Sequence, residues 1–335
     1  MKNIRIFSDI TGLLILALLL TSGCSQTATL ALKFNPDQTT DYRVVTEIQR
    51  SVEWEVPSSD NHPELKGGQA VNKIEMTFSQ QIQSVDANNH AVAKITIKGL
   101  KYLAKIRDTI SLDFDSSKDM DQQNPLSKLI GQSYTIEITP SGQVSKVIDT
   151  SEAQAAIADG TSTDQKALQL LSEEAVKERH TLPALPAAGT SQFHTGDKWT
   201  ITKSFSFDMM GSKTYDKIYT FKKIEAPIFP ALTRIISKAS KTHRFAVIRM
   251  DAIPSTEQAK QQYEEQADVS SPKAFDNIDS YSGRLKLDLT DSTIEEYHEK
   301  LHTEWYRTIP VYENEEQPAL LKMTAMQLFS IQRID

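Results

Sequence analysis

A single cysteine, Cys24, is all that 335 residues supply. No disulfide can therefore form within the chain, and stability has to come from a hydrophobic core, which a chain of this length can build. Long apolar runs are missing too. ITGLLILALLL, from Ile10 to Leu20, is the length of a signal-peptide core and short of the ~20 residues of a spanning helix. Positive charge is in the minority: 37 Lys and Arg against 44 Asp and Glu leave a formal net charge of −7, which makes nucleic acid a poor partner. The sequence contains no G-x-S-x-G elbow, no Walker loop and no G-x-G-x-x-G turn, so three common enzyme chemistries lack their fingerprints.

What is present starts at the N-terminus. Lys2 and Arg5 precede the apolar run, Asp9 intrudes, and TSGC closes the segment at Cys24. Ser22, Gly23 and Cys24 resemble the lipobox of bacterial lipoproteins, although Thr21 stands where leucine is commonest and Leu20 lies one place early. The resemblance implies removal of residues 1–23 and acylation of the Cys24 thiol. With Ser25 rather than aspartate next, it also implies transport to the outer membrane, the protein facing the periplasm. Acyl chains on one residue would hold the chain at a membrane without a transmembrane helix. Loss of Lys2, Arg5 and Asp9 brings the formal charge to −8.

The remainder reads as mainly antiparallel β (α+β): a β-rich half over 24–150, a helical connection over 151–187 and a second β-rich half over 188–335. DYRVVTEIQRSVEWEV alternates, with Tyr42, Val44, Thr46 and Ile48 on one face. NKIEMTFSQQIQSV and HAVAKITIKGLKYLAKI flank DANN, and SYTIEITPSGQVSKVI turns at Pro140, Ser141 and Gly142, two hairpin signals. In the middle, Ser162 and Gln165 suggest a capping box. Ala167, Leu168, Leu171, Ala175 and Val176 keep helical spacing, and LPALP ends the helix near His180. Ser151 is a candidate N-cap for a shorter helix. Strand candidates resume at FHTGDKWTITKSFSF, and a polar insert occupies roughly 254–280. YSGRLKLDL sets Leu285, Leu287 and Leu289 on one face, and ALLKMTAMQLFSIQRI closes the chain.

With GQSYTIEITPSGQVSKV, the helix into LPALP, Gly196-Asp197-x-Trp199, YTFKKIE and SGRLKLDL in place, the chain resembles a family of bacterial lipoproteins of unassigned function. That resemblance implies curved antiparallel sheets and supplies no activity or catalytic residue.

One stretch points to a named chemistry. HEKLH, residues 298–302, matches H-E-x-x-H, in which a helix brings His298 and His302 to one zinc ion and Glu299 acts as general base. On a strand the imidazoles would stand about 13 Å apart, with Glu299 on the opposite face. Ser292 with Glu295, and Ile294, Tyr297, Leu301 and Trp305, fit a helix over 293–307. Tyr297, Leu301, Trp305 and Ile309 fit period two equally well, and the TDS turn suggests a hairpin. A third ligand is not evident; Glu313, Glu315 and Glu316 lie in a short Pro-containing stretch.

DFDSSKDMD spaces Asp113, Asp115, Ser117, Asp119 and Asp121 like a calcium loop but has Lys118 and Asn124 where glycine and glutamate belong, and reads as a solvated acidic loop. Basic residues between Arg234 and Arg249, including Lys238, Lys241, His243 and Arg244, read as the wet face of a strand. The three tryptophans, Trp54, Trp199 and Trp305, read as core or sheet-face residues. The function expected is non-catalytic: binding an apolar ligand in a concave sheet, or scaffolding an envelope protein. The alternative is a zinc-dependent peptidase built on Glu299, His298 and His302.

Overall fold

The computed structural model describes residues 26–55, 67–157, 160–182, 184–186, 192–207, 212–226, 243–255, 276–309 and 319–334. Cys24 and the residues before it lie outside these residues. So do most of the polar insert, Arg234, Lys238 and Lys241 of the basic run, and Glu313, Glu315 and Glu316.

Antiparallel β structure dominates. The first half holds β1 (Thr27–Ala28), β2 (Thr39–Glu55), β3 (Gly68–Val85), β4 (Ala91–Ile106), β5 (Thr109–Asp115), β6 (Ser133–Ile138) and β7 (Val144–Asp149). The connection holds α1 (Ser151–Ala155), α2 (Ser162–Leu170) and α3 (Glu173–His180). The second half holds β8 (Phe193–His194), β9 (Lys198–Ser206), β10 (Ser212–Glu225), β11 (Phe245–Pro254), β12 (Asp276–Asp288), β13 (Thr293–Ile309) and β14 (Ala319–Arg333).

Both halves belong to one sheet. Its order is β7-β6-β4-β3-β2-β14-β13-β12-β11-β10-β9, with β5 beside β4 and a small separate β1–β8 pair. The chain starts at the centre and meanders out to β7. The helical connection carries it to the far edge at β9, and it meanders back until β14 pairs with β2.

This sheet is strongly curved. Four strand spacings separate β9 from β13, about 19 Å on a flat sheet, yet Lys203 Nζ lies 3.7 Å from Glu299. Gln327 Nε2 of β14 donates to the Ser206 carbonyl at the end of β9 at 2.8 Å, bridging the two outer strands of the β9–β14 group. The second half is therefore rolled on itself. In the first half the inner face is Met76 and Phe78 of β3, Ala93, Ile95 and Ile97 of β4, and Tyr134, Ile136 and Ile138 of β6, all buried. Helices fill that face through Ala153, Ala167, Leu170, Leu171 and Val176.

The helices refine the sequence expectations. A long helix ending near His180 is in fact two, because Leu171 and Ser172 interrupt it and Ser172 caps α3 through Ala175 N. The capping box is formed by Thr161 with Asp164, one residue before Ser162 and Gln165. Ser151 is the first residue of α1 and Thr150 its N-cap. The expected hairpins are present. At DANN, Asp86 Oδ1 accepts from the backbone N–H of Asn88 and of His90, and Asn89 takes φ 61°.

Residues 29–34 form a strap across one end of the sheet. Leu32 N–H donates to the Pro140 carbonyl in the β6–β7 turn, and Lys33 N–H donates to the Ser292 carbonyl in the β12–β13 turn. Asn89 Nδ2, in the β3–β4 turn, donates to the Leu32 carbonyl at 3.0 Å. Three turns from both halves are thus tied to one segment, with Leu30 and Leu32 buried beneath it.

Candidate functional site

The 293–307 stretch is the strand β13, paired with β12 and β14 along its length. The helix that H-E-x-x-H chemistry requires is not formed, and the zinc-peptidase reading loses its geometry. Ser292, its proposed cap, sits in the β12–β13 turn with φ 55°. His298 and His302 project from the outer face. His302 Nε2 pairs with Glu304 Oε1 at 3.1 Å, while Glu299 points inward and is buried. A bulge at Glu295, where Lys286 pairs Glu296 but Leu287 pairs Ile294, sets the alternation that puts Tyr297, Glu299, Leu301, Thr303 and Trp305 inside.

Glu299 anchors a buried polar network. Lys217 Nζ lies 2.8 Å from Oε1, Tyr281 OH donates to Oε1 at 2.9 Å and Tyr297 OH donates to Oε2 at 2.8 Å. Burial raises the Glu299 carboxyl, but Lys217 and Lys203 outweigh it and hold the group below the usual carboxylate range. Lys217 is fully buried; desolvation pushes its ammonium down to about 8 against the pull of Glu299, with Lys203 adding repulsion. The two partners thus respond differently to one contact: the anion has two ammonium groups and two phenols, while the cation has one carboxylate. Gly283 faces Glu299 across the β12–β13 ladder, and a Cβ there would stand 2.9 Å from Met250 Cβ. The network cross-braces the rolled strands, and its polar atoms are directed at one another.

The acidic loop is self-contained, and of the basic run only His243, Arg244 and Arg249 lie among the described residues, Arg249 alone of them on β11, where it is exposed. Asp115 Oδ1 accepts from Ser117 N–H and Oγ–H, and Asp121 Oδ2 accepts from Asp115 N–H, so the acids organise their own turn. His243, Asp288 and Asp291 gather where β11 and β12 meet the sheet end, with His243 Nδ1 2.5 Å from Asp288 Oδ2. Asp288 is buried and also accepts from Thr290 N–H, which locks the turn. Trp305 is buried against Phe207, and Trp199 stacks on Tyr219 and donates to the Ala184 carbonyl.

A pocket lies beneath the strap and was not singled out in the sequence. A narrow slot, with about 40 Å³ of enclosed space, is walled by Leu32, Phe34, Tyr42, Phe78, Ile82, Ile138, Leu182, Ile294 and Ile331. Those residues come from the strap, from β2, β3, β6, β13 and β14, and from the segment after α3, so the slot exists only when both halves are assembled. Gln38, Gln80 and Lys33 line it as polar residues that keep some exposure.

His180 is the buried titratable group of the lining. The α3 register that buries Val176 also turns His180 inward, four residues on. Its Nε2 is 2.6 Å from Tyr134 OH, and Phe78 packs edge-on against the ring with centroids 4.7 Å apart. Burial, then the neighbouring Arg179 cation, hold the imidazole well below its ordinary range, so it is neutral. Gly142 lines the slot at φ +84°, where a Cβ would stand 3.1 Å from Leu182 Cβ. An apolar wall with a few fixed polar groups is the chemistry of a site for an apolar ligand.

No protein-family model matches the sequence, and no curated protein matches it. Among solved structures, "Lipid-protein interactions in lipovitellin" is similar over 90% of this chain at 8% identity, with a TM-score of 0.38; the match covers 26% of that chain, so this chain spans about a quarter of it. DynF from the dynemicin biosynthesis pathway of Micromonospora chersina is similar over 94% of this chain and 88% of its own, at 8% identity and a TM-score of 0.17. Likenesses at this level say nothing of what the slot takes.

Proposed function

We propose that the protein is an exported lipoprotein of non-catalytic role, anchored through acyl chains on Cys24 at the outer membrane, whose folded part binds an apolar ligand in the slot beneath the 29–34 strap. The observation that carries the binding role is the slot, a small, mostly apolar pocket beneath the strap. The export pattern at residues 1–24 supports the proposed location.

The test begins with the soluble form starting at Ser25, purified without detergent, extracted with organic solvent and analysed by mass spectrometry. Lipid at about one molecule per chain is expected, and its loss in Gln80→Trp, which fills the slot from a partly exposed position, would place it there. Absence of lipid, together with no binding of added acyl chains, would sink the ligand role and leave scaffolding of an envelope partner. Radiolabelled palmitate should enter the full-length protein and not Cys24→Ala; equal labelling would reject the anchor.

A further inference from the structure

The described chain begins beside a patch of positive charge. The Gln26 carbonyl accepts from the Thr195 N–H at 2.9 Å, and its Oε1 accepts from the Ile224 N–H at 2.8 Å. Ile224 is flanked on β10 by Lys222, Lys223 and Glu225, and Thr195 lies three residues ahead of Lys198, the first residue of β9. Cys24 stands two residues before Gln26, at most ~7 Å of chain. An acyl group on Cys24 would therefore hold this corner of the fold against the membrane.

The strand registers gather the charge. Lys198 of β9 pairs with Thr220 of β10, Thr220 with Arg249 of β11, and Arg249 with Arg284 of β12, one row across four strands. In the next row towards Ile224, Lys223 pairs with Val247 and Val247 with Lys286. Alternation turns Arg249, Arg284 and Lys286 outward, because Ile248, Met250, Leu285 and Leu287 beside them in the chain are buried. The side chains of Lys223, Arg249 and Arg284 are 61%, 62% and 47% exposed. Glu225 faces Lys223, Arg284 and Lys286, and Asp251 pairs with Arg249. With Asp197 and Glu296 at the rim, the six cations meet four acids, which leaves +2 on a chain whose total is −7. Arg249 directly opposite Arg284 is a like-charge cross-strand pair, which sheet stability disfavours and a bound anion would relieve.

We propose that this face of β9–β12 docks on a membrane surface rich in anionic phospholipid, with Lys198, Lys222, Lys223, Arg249, Arg284 and Lys286 meeting the head-group phosphates beside the Cys24 anchor. Lys and Arg are attracted to such a surface within a Debye length, and acyl chains and a basic patch act together as membrane signals. The inference rests on the Cys24 anchor and is independent of the slot. The anchor holds the chain at the membrane, and the patch sets which face it turns to the lipid.

The experiment is flotation of the soluble form starting at Ser25, which keeps every described residue and has no anchor. The vesicles are phosphatidylcholine alone, or phosphatidylcholine mixed with phosphatidylglycerol. Binding to the mixed vesicles only is expected, and salt at about 1 M, which screens charge beyond ~3 Å, should release it. Arg249→Gln with Arg284→Gln should weaken it about 30-fold, about fivefold for each cation removed. Lys94→Gln with Lys98→Gln, the same change of charge at exposed positions of β4, should leave it unchanged. Equal weakening by both pairs would overturn the proposal, since total charge and not this face would be acting. Equal binding to both kinds of vesicle, or binding to neither, would also overturn it. Palmitate labelling of the full-length protein reports on the anchor separately. Labelling without binding to the mixed vesicles rejects the patch alone, and binding without labelling supports the patch and rejects the anchor.

Discussion

Glu299 and His180 are both buried polar side chains, and each stands in a different electrostatic situation. Glu299 is held by charge, so Glu299→Ala leaves Lys217 buried with no counter-ion. A loss of about 3–5 kcal/mol is expected in urea unfolding. Lys217→Met with Glu299→Leu, which removes both charges, should recover most of it; a double variant as weak as the single one would show that packing, and not the pair, is at stake. His180 is held neutral, and its stability contribution runs with pH. Its folded value lies well below its ordinary one, while the unfolded chain takes up the proton near pH 6.5. Stability is therefore complete above pH 6.5 and falls as the pH drops below it, by about 1.4 kcal/mol per unit. Between pH 6.5 and 5, before carboxylates begin to protonate, His180→Gln should lack this slope in chemical unfolding. A slope that persists would assign it elsewhere. Neither role was legible in the sequence. H-E-x-x-H drew attention to Glu299 for a reason that a strand removes, and Arg179-His180 looks like an ordinary basic helix end.

Elements were easier to read than sites because turn chemistry is local. Asp86 to Asn89 and Pro140 to Gly142 turn where their residue types demand it, and α3 ends at His180 ahead of the prolines. Periodicity could not settle β13, since its apolar residues suit both periods. Its pairing with β12 and β14 decided the matter, and that is information from distant sequence. The strap was invisible for the same reason, being held by turns 57, 108 and 259 residues away. Gly142 joins local and distant constraint. Its positive φ serves the β6–β7 turn, and its bare Cα lets Leu182 close over it, the Leu182 N–H donating to the Gly142 carbonyl at 2.7 Å. Gly142→Ala adds a strained backbone and a 3.1 Å contact, together about 1–3 kcal/mol. It should lower the thermal midpoint and weaken binding of an added acyl chain at once, because Leu182 lines the slot. A midpoint shift with unchanged affinity would detach the turn from the site.

At the scale of the whole molecule, the sequence suggests two β-rich halves joined by helices, and each half is a meander. What the halves share appears only in three dimensions. The β14–β2 ladder runs from Leu320–Glu55 to Arg333–Tyr42, pairing the last strand with the first long one. The main core cluster includes Phe78 and Tyr134 from one half and Tyr219 and Tyr297 from the other. Such a seam cannot form until both ends of the chain exist, so it is paired late and contributes heavily to contact order. Cutting the chain in the helical connection, between α1 and α2 at residues 158–159, should therefore leave neither piece stable alone. The first would expose the edge of β2 and the second the edge of β14, each a long, unpaired strand of the kind that aggregates. Produced together, the pieces should recover in soluble form as a one-to-one complex, with a single unfolding transition seen alike by far-ultraviolet circular dichroism and by tryptophan fluorescence. Trp54 lies on the first piece, and Trp199 and Trp305 on the second, so fluorescence samples both sides of the seam. A soluble, cooperatively folded piece on its own would show that a half carries its own stability, and that β14 merely docks on β2.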